Sequence, residues 1–325
     1  MDTRGNPTPT GAPAARPAVH KLNIQTLRHG RITWVNVERP TKEEMEWLAQ
    51  NYSFHPLHLD DCLSKIQRPK IDDHEDYLFI VLHFPVYNRI AQVTVASEVD
   101  IFVGPDYFVT VHAGDLKPVR RMFQECMSNP ARRQALMGRG TGYLLYQLAD
   151  RLVDYCFPIL NKIDDNIEAV EDTIFEEDVR QTVRDISVIR RDVINFRRII
   201  KPQIAVIASL EHKQKAFLQE DLEAYFGDLA DHIAKIWDIL EDYKEVIEGL
   251  ADTNDSLTSS RINEVMKILT TISVIMLPLT LVSGIYGMNI DLPFQEHPFS
   301  FGMVAGIMIF IAVGMLTYFR RRGWV

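Results

Sequence analysis

RINEVMKILTTISVIMLPLTLVSGIYGMN, residues 261–289, decides how the rest of the chain is read. From Ile268 to Met288 it holds no charged side chain. At ~1.5 Å of helical rise per residue this run extends ~31 Å, against a bilayer hydrocarbon core of ~30 Å. A second uncharged run, Phe299 to Phe319, follows after a short acidic loop. The pattern predicts two closely spaced transmembrane helices.

One face of the first run is unusual for a helix bathed in lipid. Steps of three and four from Asn263 give Met266, Thr270, Ser273, Leu277, Thr280, Gly284 and Gly287. Each is polar, small or flexible, while Ile268, Ile272, Ile275, Leu279, Val282 and Ile285 fall elsewhere. A repeat near 3.5 residues keeps such a seam turned toward one axis. Two readings fit it: close helix–helix packing through small residues, or the wall of a pore assembled from several copies.

The 325 residues leave room for one sizeable soluble part beside the membrane part. A net charge of −9 argues against a nucleic-acid partner, whose binding footprint is basic. The three cysteines, Cys62, Cys126 and Cys156, are far apart and form no CxxC pair. Reduced, buried thiols are expected rather than a disulfide scaffold or a structural zinc site. Residues 1–20 carry four prolines and no apolar block, which reads as a disordered tail rather than a signal peptide.

Residues 21–140 read as an α/β domain. A hairpin is predicted over 22–37, broken at His29-Gly30, and Thr41 with Glu44 forms a capping box for a helix over 41–50. A short helix starts at His55-Pro56, strands are expected at 77–86, 93–103 and 107–112, and a helix at 119–127. From Thr141 apolar residues recur at helical spacing, predicting helices at 142–176, 179–215 and 220–288. The first two make a helical hairpin over 141–219; the third is a stalk continuing into the first span, about 268–288. Pro202 and Pro278 are candidate bend points. The segment 164–178 carries eight acids and reads as a solvated hairpin tip, or alternatively as an antenna for cations.

Topology follows from charge. The loop 289–298 has Asp291 and Glu296 but no Lys or Arg, whereas Arg261 and Lys267 precede the first span and Arg320-Arg321-Arg322 follow the second span, 299–319. The positive-inside rule places both termini, including the basic tail 320–325, in the cytoplasm of a cell with the protein in its inner (plasma) membrane. Two helices cannot enclose a water path alone, so conduction requires an oligomer.

Gly287-Met288-Asn289, preceded by Tyr286, resembles the Gly-Met-Asn signature of the CorA family of divalent-cation channels. Asn-Glu-Val-Met-Lys at 263–267, Pro-Leu-Thr at 278–280 and Gly-Ile-Tyr at 284–286 extend the likeness, which runs from about residue 22 to the end. The resemblance implies a funnel-shaped homopentamer in the lipid bilayer, with the first span lining the pore and the seam repeated as five-fold rings. The ion would be Mg²⁺, with Co²⁺ and Ni²⁺ also candidates. Asn289 with the Gly287 and Gly284 carbonyls would capture hydrated ion at the outer mouth beside Met288. Thr280, Ser273 and Thr270 would be later polar steps, Asn263 an inner polar ring, and Leu277 and Met266 hydrophobic constrictions. The resemblance also implies closure by cytoplasmic Mg²⁺ bound between subunits at Asp61, in His-Pro-Leu-His-Leu-Asp-Asp, and Asp228, in Tyr-Phe-Gly-Asp. Asp60 and Asp150 match its secondary acidic cluster. By themselves these four read as surface acids.

Rival readings are a zinc transporter of the ZntB type, which shares this plan, and a membrane-anchored oligomeric scaffold or sensor. No further protein partner is implied. An enzyme is not expected, because no phosphate loop, nucleophile elbow or metalloprotease spacing is present.

Overall fold

Alternating apolar residues in the first third of the chain build a six-stranded sheet of order β1-β2-β6-β5-β4-β3. The computed structural model describes residues 22–64, 67–88, 93–175, 179–213, 215, 217–218, 222–288 and 298–324. The expected tail at 1–20, Asn289 with the rest of 289–297, and Glu176–Asp178 of the acidic segment lie outside them. Strands β1 (Ile24–His29) and β2 (Ile32–Glu38) pair antiparallel through a turn at Gly30, whose φ of +56° suits a residue without Cβ. β2 then pairs parallel with β6 (Tyr107–His112). The remaining neighbours, β6 with β5 (Val93–Val103), β5 with β4 (Leu78–Asn88) and β4 with β3 (Lys70–Asp73), are antiparallel.

Period-two alternation gives this sheet two apolar faces. On one, α1 (Lys42–Asn51) and α2 (Pro56–Asp61) bury Met45, Leu48 and Leu59 against Val35, Val37, Phe79, Val81, Phe102 and Val109. The Thr41–Glu44 capping box starts α1, and the Glu44 carboxylate also accepts from Asn23 N at 2.9 Å. Burial pushes the Glu44 carboxyl up, but these hydrogen bonds outweigh it and hold the group below its usual value. On the other face Trp34 packs edge-on against Phe108 and against Phe123 of α3 (Lys117–Ser128). Helix α4 (Pro130–Met137), unforeseen in the sequence, follows directly.

The long helix expected over 142–176 is two helices, α5 (Thr141–Asp154) and α6 (Phe157–Thr173). Pro158 has no N–H to donate to the carbonyl of Asp154, the last residue of α5, so the helical ladder breaks there and Pro158 sits in the first turn of α6, where the missing N–H costs nothing. Helices α7 (Val179–Glu211) and α8 (Leu222–Tyr286) run through Pro202 and Pro278. α8 stops at Tyr286, so Gly287 and Met288 form a turn beyond it rather than its last residues. Helix α9 (Ser300–Arg321) closes the chain.

Two compact units divide these elements. The first comprises residues 1–164 and 191–243, the second 165–190 and 244–325. In the first, α7 is tied to the sheet where Thr94 N donates to Asp192 Oδ1 at 3.0 Å and Gln203 Nε2 donates to His83 O at 2.8 Å. In the same unit Leu222, Phe226, Leu229, Ile233, Ile236 and Leu240 of α8 are buried at alternating steps of four and three. In the second unit, the described acids of the acidic segment, Asp165, Glu168, Glu171 and Asp172, are exposed on α6.

Candidate ion path and cation-binding clusters

α8 and α9 are each long and apolar enough to cross a membrane, with mean hydropathy 2.1 over their most apolar stretches. In the second unit Thr271 is buried and Ile275, Pro278, Leu279 and Val282 are half-buried, a stripe matched on α9 by half-buried Val304, Met308, Ile311 and Met315; at one end Thr271 and Ile275 share a groove with Leu316 of α9. The seam lies elsewhere. Asn263, Met266, Thr270, Ser273, Leu277, Thr280, Gly284, Gly287 and Met288 are all exposed, Leu277 at 71%. At ~100° per residue the seam and the covered stripe stand about half a turn apart on α8.

Two of the seam hydroxyls have a fixed polarity. Ser273 Oγ donates to Leu269 O at 2.8 Å and Thr280 Oγ1 donates to Met276 O at 2.5 Å. Their protons are thus committed to the helix and their lone pairs remain outward as acceptors. A Cβ added at Gly284 would meet nothing within 4 Å among the described residues, so packing among them does not demand glycine there.

The predicted acids separate into two groups. Asp60 is exposed on α2. Asp61, half-buried at the end of α2, accepts from Lys70 Nζ at 2.9 Å and from Gln67 Nε2 at 2.9 Å. Burial opposes the charge on Lys70, but hydrogen bonds to Asp72 and Asp61 outweigh it and hold the ammonium above its usual range. Asp150 on α5 belongs to a second cluster with Asp154 and His232, whose ligand atoms all lie within 4.8 Å of one another. Burial, then the neighbouring Asp154 carboxylate, push the Asp150 carboxyl up. His232 Nε2 stands 3.9 Å from Asp228 Oδ1, one helical turn earlier on α8, so the cluster reaches Asp228. Asp228 also borders an open cavity of about 990 Å³ with Glu211, Glu223 and Asp231. The structure therefore links Asp150 to Asp228 through His232 and leaves Asp61 with Lys70.

The chain matches the family model described as CorA-like Mg²⁺ transporter protein over residues 29–321. It belongs to that family. Over 90% of its length it is 32% identical to the cobalt/magnesium transport protein CorA of Thermotoga maritima, covering 83% of that protein. A putative metal ion transporter of Bacillus subtilis, YfjQ, is likewise 32% identical, over 90% of this chain and 89% of the relative. The complete structure of the CorA magnesium transporter from Methanocaldococcus jannaschii superimposes with a TM-score of 0.83 at 25% identity, covering 92% of this chain and 93% of that one.

Within this CorA-like chain, Asp154 and His232 are the residues that reading the sequence missed. The signal was present: Asp150 with Asp154 and Asp228 with His232 are both four residues apart on helices, the spacing that puts two ligands on one face.

Proposed function

We propose that the protein is a homopentameric channel that carries hydrated Mg²⁺, and Co²⁺ with it, down the electrical gradient into the cytoplasm. Family membership supports divalent-cation transport. The observation that carries the mechanism is the exposure of the seam on the side of α8 away from its own α9. Five copies set around an axis can then line a path with Asn263, Thr270, Ser273, Thr280 and the Gly284 and Gly287 carbonyls, with α9 outside against lipid. Asn289, beyond the described residues, takes the outer mouth with Met288 by its place in the sequence.

Mg²⁺ sheds its waters reluctantly and binds oxygen in octahedral geometry. Its bound waters point their hydrogens outward, so a lining of acceptors can hold the hydrated ion. The outward lone pairs of Ser273 and Thr280 are acceptors of that kind. Uncharged rings bind weakly enough for release, where carboxylate rings would trap the ion. Leu277 and Met266 offer no oxygen and act as constrictions that close by dewetting. The driving force is the membrane potential, ~4.6 kcal/mol for a divalent ion per 100 mV.

Closure is assigned to Mg²⁺ held between neighbouring subunits by Asp61 and Asp228, with Asp60 and Asp150 beside them. Part of the donor set suits a hard cation: the Asp150 and Asp154 carboxylates converge, with the His232 imidazole beside them. At Asp61 the incoming ion must displace Lys70. Loss of the ion returns unpaired acids to the subunit boundary, and their repulsion loosens the ring.

The test is uptake of Mg²⁺, Co²⁺, Ni²⁺ and Zn²⁺ into liposomes holding the full-length protein, with and without Mg²⁺ on the cytoplasmic side. Divalent uptake that internal Mg²⁺ suppresses, and that Asn289→Ala abolishes, is the expected result. A protein that passes no ion is a scaffold, and one that passes Zn²⁺ alone is a zinc transporter.

A further inference from the structure

Where α8 enters its uncharged run, it and the end of α9 enclose a groove of about 830 Å³. Ser260, Asn263, Glu264, Lys267 and Thr271 line it from α8, and Leu316, Gly323 and Trp324 from the other side. Gly323 takes a φ of +69°, which turns the chain back after α9 and brings Trp324 N to Phe319 O at 3.1 Å. The indole then packs on the Phe319 ring at 5.5 Å.

Three observations converge on this groove. Thr271 is only 3% exposed, yet its Oγ1 has no hydrogen-bond partner among the described residues. A threonine in a helix ordinarily bonds back to a carbonyl one turn earlier, as Thr280 does here. Lys267 is the last charged residue before the first uncharged run, and Arg320, Arg321 and Arg322, at the end of α9, are the first after the second. Both flanks are therefore basic at one depth, the boundary between hydrocarbon and headgroups. Trp324 is the residue type that seats at that boundary.

We propose that this groove is a binding site for an anionic phospholipid with a hydroxylated headgroup, of the phosphatidylglycerol class. Lys267 and the Thr271 hydroxyl, one helical turn apart, donate to the phosphate oxygens, Glu264 and Ser260, further along α8 toward the cytoplasm, meet the glycerol hydroxyls, and Trp324 covers the glycerol–acyl junction. Basic pockets between transmembrane helices on the cytoplasmic side recognise anionic headgroups by this chemistry. The site rests on the reading of α8 and α9 as membrane spans. It is independent of which ion passes. Because Asn263 borders both the groove and the seam, an occupied groove braces the inner end of the path.

Native mass spectrometry of the full-length protein in detergent tests this, with phosphatidylglycerol and phosphatidylcholine of identical acyl chains supplied in competition. Wild-type protein should retain phosphatidylglycerol about fivefold better per subunit, the preference that one basic contact supplies. Lys267→Gln and the near-isosteric Thr271→Val should each erase most of that preference, and Lys244→Gln, remote from the groove, should keep it. The oligomer mass in the same spectra reports whether each variant assembles. Equal retention of the two lipids by wild type, or an unchanged preference in both assembled groove variants, would overturn the site. Loss of ion flux with the lipid preference intact would count against the transport reading alone.

Discussion

Lys70 Nζ lies 2.9 Å from Asp61 Oδ2 and 2.5 Å from Asp72 Oδ2, so one ammonium bridges two carboxylates at the end of α2. Asp61 is the acid assigned to the closing cation, and it already has a counter-ion. Removing that competitor should tighten the site. Lys70→Met is expected to lower the internal Mg²⁺ concentration that half-closes the channel by about fivefold, the worth of a partly exposed ion pair. Flux titrated against internal Mg²⁺ measures it. An unchanged midpoint would mean that Asp61 does not bind the closing ion.

The cluster on α5 and α8 mixes hard and borderline ligands. Imidazole favours Co²⁺ and Ni²⁺, whereas Mg²⁺ prefers oxygen alone. His232→Ala should weaken Co²⁺ and Ni²⁺ binding about tenfold and move Mg²⁺ binding less than about twofold. Calorimetric titration of each metal into the full-length protein separates the two. Equal losses for all three ions would assign His232 a packing role.

Seam residues and outward residues of the second span should respond differently to size. Thr280→Leu removes an acceptor and adds bulk on the seam, and is expected to cut Mg²⁺ uptake at least about tenfold, on the scale of a narrowed polar pore. Phe310→Leu, on the exposed side of α9, should leave uptake within about twofold, since scattered apolar surface tolerates such exchange. The reverse ranking would turn the seam away from the ion.

His112 gives the α/β domain an acid limit. It is buried, shares a hydrogen bond with Asn36 Oδ1 at 3.0 Å through Nε2, and accepts from Gly114 N at 3.0 Å through Nδ1. Burial, then the nearby Arg120 charge, lower its pKa to about 4 from the ordinary 6.5. Between those values the unfolded chain takes up a proton that the folded one refuses, so stability falls as the pH drops below 6.5. The loss from pH 7 to pH 5 is about 2 kcal/mol from this residue. Thermal melts of wild type and His112→Gln should converge as the pH falls, because the variant lacks this loss. Parallel curves would place the acid sensitivity in another group.

Much of this was legible in the amino-acid sequence, for physical reasons that differ by element. The spans, the strands at 78–88 and 93–103, and the capped helix after Thr41 announce themselves by length, period and cap chemistry. β3 does not, because Lys70–Asp73 reads Lys-Ile-Asp-Asp, an edge strand with one apolar residue and no periodicity. α4 hides because its two large apolar residues, Leu136 and Met137, are adjacent and show no helical stripe. The pairs Asp150–Asp154 and Asp228–His232 are legible by their spacing of four, but that they meet depends on two helices approaching across a large sequence gap, which no local pattern encodes. Lys70 beside Asp61 falls in the same class: each is ordinary by type, and only the register of β3 against α2 makes them a pair.

The half-turn between the seam and the stripe under α9 has an evolutionary corollary. With the seam lining the path as proposed, codons for anchorage and codons for cargo fall on separate positions of the same helix. A lineage can therefore exchange Thr270, Ser273 or Thr280 to retune what it carries and leave the hairpin's own assembly untouched. Divergence in ion preference among relatives should concentrate at those few sites while the rest of the span drifts among interchangeable aliphatics.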